Sequence, residues 1–267
     1  TRQAAGFYLI TQISLFTYSM KKTDCSTIWK ESGETVKISL SKNYKIQRVV
    51  NNRPFCRLYM TYAGGNMPRI LKIVQQTKQK FLNMFEFTVK DRSGREHPYY
   101  VASRATEISG LKAVTRENYP DGVIIYAVHK GEEDRIVMVR QYRYTLGDYI
   151  YELPAGLVDP GEDYKVTAAR EMMEETGLTF RPVEHDECYS EPFFTTIGMT
   201  DESCRTVFGE AYGEPSNAYL EESEDIEVVF VDRKQAKEIL KSKKVALMAA
   251  YLLMNFIHSE DPFWFLK

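Results

Sequence analysis

The chain has 267 residues, 43% hydrophobic, 13% aromatic and 27% charged, enough for one large or two small domains with a sizeable core. That composition excludes collagen, a coiled coil and a wholly disordered chain. Lys and Arg (35) nearly balance Asp and Glu (37), so the formal charge of −2 offers no global basic field to nucleic acid or an anionic membrane, and neither is expected as a partner.

From the N-terminus, residues 1–66 show no sustained period and read as a poorly patterned extension. Gly64-Gly65-Asn66-Met67 suits a ribosome-binding sequence just before a start codon. The expectation is therefore that translation begins at Met67 and that 1–66 is upstream sequence read in frame. Cys25, Cys56, Cys188 and Cys204 include no CxxC pair and no His at ligand spacing, which argues against a zinc site or disulfide framework and for a reducing cytoplasm. The most apolar runs, Gly6–Phe16 and Leu247–Ile257, are too short to span a bilayer.

Residues 67–112 are expected to form a small N-terminal β region. Phe81–Lys90 and Arg95–Arg104 read as two strands joined by the turn Asp91-Arg92-Ser93-Gly94. Residues 113–267 are read as one α/β domain. Val123–Val128 and Arg135–Tyr142 are β-branched strands around a polar turn, and Arg205–Ala211 and Ile226–Asp232 are further strands. Arg233–Lys244 and Val245–His258 read as helices, the second with a broad apolar face. Strands interleaved with about three helices predict a layered α/β fold.

Chemistry concentrates in one block: Gly156 to Glu162, seven residues, then Arg170-Glu171-Met172-Met173-Glu174-Glu175-Thr176-Gly177-Leu178. Asp159-Pro160-Gly161 is a turn, a helix follows from about Asp163, and Gly177 stops it. Glu171, Glu174 and Glu175 stand at i, i+3 and i+4 and project from one helical face, while Val166, Ala169 and Met173 mark another face that can pack inward. Like charges so spaced repel by a few tenths of a kcal/mol, about 0.2–0.5 per pair. A hard divalent cation reverses that penalty, and Arg170 beside the acids orients them and offsets charge.

Gly156, Glu162, Arg170, Glu171, Met172, Glu174, Glu175, Gly177 and Leu178 match every defined position of the Nudix box. The resemblance implies an α/β/α sandwich hydrolase with a mixed sheet, cleaving a nucleoside diphosphate linked to another moiety and using Mg²⁺ or Mn²⁺. Gln141-Tyr142-Arg143 and Tyr151–Gly156 resemble the ADP-ribose and ADP-sugar pyrophosphatase branch. In that branch the carbonyl matching Ala155 and the acids matching Glu171 and Glu175 ligate metal, and Glu162 and Glu174 are further or water-mediated ligands. Arg143 would contact substrate.

Thr195–Glu202 resembles the mobile catalytic loop of bacterial ADP-ribose pyrophosphatases, whose acid, here Glu202, is the general base. Only Gly198 remains of the usual Ser-Pro-Gly at its start. Glu222, Glu224 and Asp225 are read as solvated charges. Phe81 and Tyr99 fall where related enzymes sandwich adenine, and Arg104 where they bind substrate. These enzymes exchange the hairpin between subunits, so a C2 homodimer is implied. The resemblance covers about residues 70–267 and implies hydrolysis of ADP-ribose to AMP and ribose 5-phosphate. The alternatives are another nucleotide sugar, such as GDP-mannose, and a non-catalytic ligand sensor. The intact acids and the lack of a helix-turn-helix segment argue against the sensor.

Overall fold

The structure is a computed structural model that describes residues 25–27, 38–40, 44–48, 58–62, 67–220 and 224–267. The chain divides into two compact units, Thr1–Lys72 with Thr88–Pro98, and Ile73–Phe87 with Tyr99–Lys267. In the first, β1 (Cys25–Thr27) pairs antiparallel with β2 (Ile38–Leu40), and β3 (Tyr44–Arg48) with β4 (Leu58–Tyr62). Strands of three to five residues are too short to register as a period, which is why this stretch reads as unpatterned. Most of residues 1–66, including Cys56, lies outside the described residues.

A three-stranded sheet in the order β5-β6-β7 follows, with β5 (Arg69–Gln75), β6 (Asn83–Lys90) and β7 (Glu96–Ser103). Its predicted turn is present. Asp91 Oδ1 accepts from the backbone N–H of Ser93 (2.8 Å) and of Arg95 (3.0 Å), and Gly94 takes φ +87°. Strand β6 begins later than the sequence suggests. Buried Asn83 closes the preceding loop by accepting from Gln79 N–H (2.7 Å) and donating to Gln79 C=O (2.9 Å), which leaves Phe81 in the loop and exposed.

The second unit holds an eight-stranded mixed sheet built on β8 (Gly122–His129). This strand is parallel to β14 (Ser203–Tyr212) and antiparallel to β9 (Arg135–Arg143) and β11 (Ala155–Leu157). β10 (Asp148–Glu152) and β15 (Ile226–Val231) pair with β9, while β12 (Thr179–Pro182) and β13 (Phe193–Phe194) pair with β14. The helices are α1 (Lys112–Thr115), α2 (Tyr164–Thr176), α3 (Arg233–Ser242) and α4 (Leu247–Ile257).

Alternation along β8 explains the layering. Val123, Ile125 and Ala127 pack with Val137, Val207 and the α2 residues Ala168 and Met172. Tyr126 and Val128 face the other way, joining Met138 and Phe208 against Ile239 of α3 and Leu252, Leu253 and Phe256 of α4. A strand apolar on both faces requires cover on both, and the predicted α/β/α sandwich is the result. Each fully buried side chain of this size contributes about 1.5–3 kcal/mol.

One prediction about α2 is corrected. Its inward residues are Ala168, Met172, Glu175 and Thr176, whereas Val166 is exposed and Ala169 and Met173 are half-buried. The helix is thus rotated by about 100°, one residue's step, from the expected packing face. That rotation carries Glu175 beneath the helix and leaves Glu174 toward solvent. Among the described residues the thiols of Cys188 and Cys204 are free, and no helix is long and apolar enough to cross a membrane.

Candidate active site

The box is assembled on β8. Ala155 of β11 stands opposite Ile124, and Ile125 N–H donates to Pro154 C=O at 2.8 Å. The chain then turns through Asp159–Glu162, with Gly161 at φ +84° and Glu162 N–H bonded to Asp159 C=O (2.9 Å). Asp163 caps α2 by accepting from Lys165 N–H (2.9 Å), and Gly177, at φ +73°, ends it. One helical face is thereby laid along the turn. Glu175 Oε2 accepts from Ala155 N–H at 3.1 Å, and the Glu171 carboxyl lies against Gly156.

Arg170 gathers the remaining acids. Its guanidinium reaches Glu162 (3.1 Å), Glu171 (2.9 Å), Glu174 (2.9 Å) and the Leu157 carbonyl (3.2 Å). Hydrogen bonds from Arg170, then Thr167, hold Glu162 down at about 2, and the bond to Glu162 raises Arg170. Glu171 and Glu175 behave oppositely. Burial pushes Glu171 up to about 6 against the pull of Arg170, and burial raises Glu175 well above the carboxylate range.

Among the described residues no three His, Cys, Asp or Glu side chains are disposed to hold a metal as they stand, because the acids turn to Arg170. The donor set nevertheless fits a divalent cation. It offers hard oxygens, and Glu171 and Glu175 carry charges that burial penalises and that such a cation would offset.

Glu224, expected to be a solvated charge, adds to the negative field that raises both Glu171 and Glu175. No local motif marks it. It arrives through the pairing of Ile226 with Gln141 and a bond from Tyr142 N–H to Asp225 C=O (3.1 Å), which tie its segment to β9.

The other predicted residues fall into separate pairings. Arg143 donates through Nε (2.8 Å) and Nη2 (2.5 Å) to Glu152 Oε2. Arg104 donates through Nε (2.9 Å) and Nη2 (2.8 Å) to Glu202 Oε1, whose other oxygen accepts from Thr195 Oγ1 (3.0 Å). Tyr99 is exposed on β7 and its hydroxyl donates to Gly198 C=O in the same loop (2.8 Å). The Lys80 ammonium lies 4.6 Å from the centre of the exposed Phe81 ring.

Comparison with known proteins follows the same lines. The model of the NUDIX domain matches residues 118–251. The chain is 34% identical over 144 residues to a methanol dehydrogenase activator of Bacillus methanolicus, covering 54% of this chain and 75% of that protein. It is 33% identical over 156 residues to an ADP-ribose pyrophosphatase of Bacillus subtilis, covering 57% and 80% respectively. The crystal structure of an ADP compounds hydrolase superposes with a TM-score of 0.54 at 15% identity, covering 74% of this chain and 98% of that one, a likeness of fold.

Proposed function

The chain belongs to the NUDIX family of hydrolases, and we propose on that footing that it hydrolyses ADP-ribose to AMP and ribose 5-phosphate with Mg²⁺ or Mn²⁺. The observation that carries this reading is the buried pair Glu171 and Glu175 laid against the Ala155–Gly156 turn. Identity to ADP-ribose pyrophosphatases of Bacillus subtilis and Saccharomyces cerevisiae supports the substrate.

Glu171, Glu175 and the Ala155 carbonyl would hold the cation, with Glu162 and Glu174 as further or water-mediated ligands. When bound, a divalent cation polarises the diphosphate and makes water easier to ionise. Arg170 offsets the charge of Glu162, Glu171 and Glu174 and holds them together, and it would release them to a bound cation. Arg143 would receive a substrate oxygen in place of Glu152, and Arg104 would do so while still held by Glu202, charge-assisted bonds suited to phosphate. The exposed faces of Phe81 and Tyr99 suit a purine. Exposed Val74, Leu82, Met84 and Tyr100 on and beside β5–β7 support a C2 dimer that shares this region.

Two acids outside α2 are candidates for accepting the water's proton. Glu202 has the loop position expected of the base, with its carboxylate bonded to Arg104 and Thr195. Glu224 is the second candidate, since its charge adds to the negative field at Glu171 and Glu175.

The test is phosphate release, with added phosphatase, from a panel of nucleotide sugars under Mg²⁺. ADP-ribose should be turned over fastest, and Glu171→Gln should abolish turnover. Equal rates on GDP-mannose would move the substrate assignment, and no turnover of any sugar would favour a sensor. Loss of the positioned base costs roughly 10²–10⁴ in rate, so Glu202→Gln and Glu224→Gln separate the two acids.

A further inference from the structure

Glu202 is flanked by two residues that are both fastened to Lys112. The Lys112 backbone N–H donates to Asp201 Oδ2 (3.1 Å), and its ammonium donates to Ser203 Oγ (2.5 Å) and to Asp121 Oδ2 (2.6 Å). Asp121 completes a closed set. Its Oδ2 accepts from Ser203 N–H (2.9 Å), and its own N–H donates to Ser203 C=O (2.7 Å). The hydroxyl hydrogen of Ser203 is directed to Tyr119 C=O (3.2 Å), so its oxygen needs the donor that Lys112 supplies. Ser203 is fully buried, and the Lys112 side chain is only 14% exposed.

This brace fixes the backbone on either side of Glu202. Successive side chains in an extended segment alternate in direction. Asp201 and Ser203 therefore turn to Lys112 while Glu202 turns to Arg104. Thr195 restrains one carboxylate oxygen of Glu202, and the other takes both Nε and Nη2 of Arg104. The guanidinium is thereby held in one orientation. Preorganising a long, flexible arginine removes ordering cost from ligand binding.

We infer that Lys112 is a positioning residue for Arg104, acting through the segment Asp201–Ser203 and the carboxylate of Glu202. The inference rests on the reading of Arg104 as a substrate-binding residue. It gives the Lys112–Asp121–Ser203 network a task in substrate recognition that no sequence motif marks.

The experiment is a double-mutant cycle on the purified full chain, with kcat and KM measured on the best substrate of the panel. Lys112→Met should raise KM roughly tenfold, as expected for a displaced binding group, with any fall in kcat smaller than that of Glu202→Gln. Lys112→Arg should recover part of that loss. In an Arg104→Ala background, Lys112→Met should raise KM by less than about twofold more, because the partner it positions is gone. Unchanged KM in Lys112→Met, a fall confined to kcat, or an undiminished rise in the Arg104→Ala background would each overturn the inference. If circular dichroism shows Lys112→Met unfolded, Ser203→Ala carries the same cycle with the same expected signs. An Arg104→Ala variant with unchanged KM would sink the reading of Arg104 itself. A raised KM there beside an unaffected Lys112→Met would sink the positioning role alone.

Discussion

Gly156 lies directly beneath the Glu171 carboxyl, and a Cβ placed on it would fall 1.9 Å from Cδ and 2.0 Å from Oε1 of that acid. The obstacle is the end of a flexible side chain, so a methyl group there can push Glu171 aside without moving backbone. Gly156→Ala should therefore leave stability within about 1 kcal/mol. Activity should fall about 100-fold, because the displaced acid no longer lies along the turn. Circular dichroism melts alongside kcat measure both halves, and loss of stability and activity in parallel would contradict the argument.

Glu171 and Glu175 give the protein a cation-dependent pH response. Their folded pKa values lie above the ordinary 4.5, Glu171 at about 6 and Glu175 well above that ordinary value, in both cases chiefly because of burial. A raised carboxyl stabilises fully below its unfolded pKa and loses that contribution as pH climbs through the folded one. Without divalent cation, their share of stability should decline from about pH 4.5 through 6 and beyond. On the proposed metal reading Mg²⁺ would bind the ionised acids, so it should raise Tm by roughly 2–4 °C at pH 8 and by less at pH 5. Differential scanning fluorimetry checks this, and an equal Mg²⁺ effect at the two pH values would refute it.

Gly177 ends α2 at φ +73°, and an added Cβ would stand 2.7 Å from Ser216 N and 2.9 Å from Ser216 O. Here the obstacle is backbone, and the conformation itself disfavours a side chain. Gly177→Ala should cost at least about 1–2 kcal/mol, read as a lower urea midpoint at unchanged m-value.

Arg143 holds Glu152 through two nitrogens on an exposed edge, and on the proposed reading an incoming phosphate would take the place of Glu152. Arg143→Met should raise KM for ADP-ribose about 10- to 100-fold, the worth of one or two bonds to a charged group. Steady-state kinetics across substrate concentrations test it, and an unchanged KM would remove Arg143 from the binding set.

What could be read from the residues alone was governed by local chemistry. Asp163 and Gly177 mark the ends of α2 because capping and left-handed turns depend on near neighbours. The Asp91–Gly94 turn and the β-branched run of β8 are legible for the same reason. The rotation of α2 is not local. Val166 and Met172 are equally apolar in composition, and only docking against Val123, Ile125 and Val207 selects Met172. Glu224 and Lys112 were missed on similar grounds. The first is placed by the register of β15 on β9, and the second meets Asp201 and Ser203 some ninety residues away in sequence.

The turn that carries Ala155 and Gly156 is hydrogen-bonded to β8, whose side chains are buried in both cores. An opening that parts those amides must break both apolar layers together, so the catalytic scaffold belongs to the slowest-exchanging part of the molecule. The Ile125 amide, bonded to Pro154, should exchange with deuterium only through global unfolding.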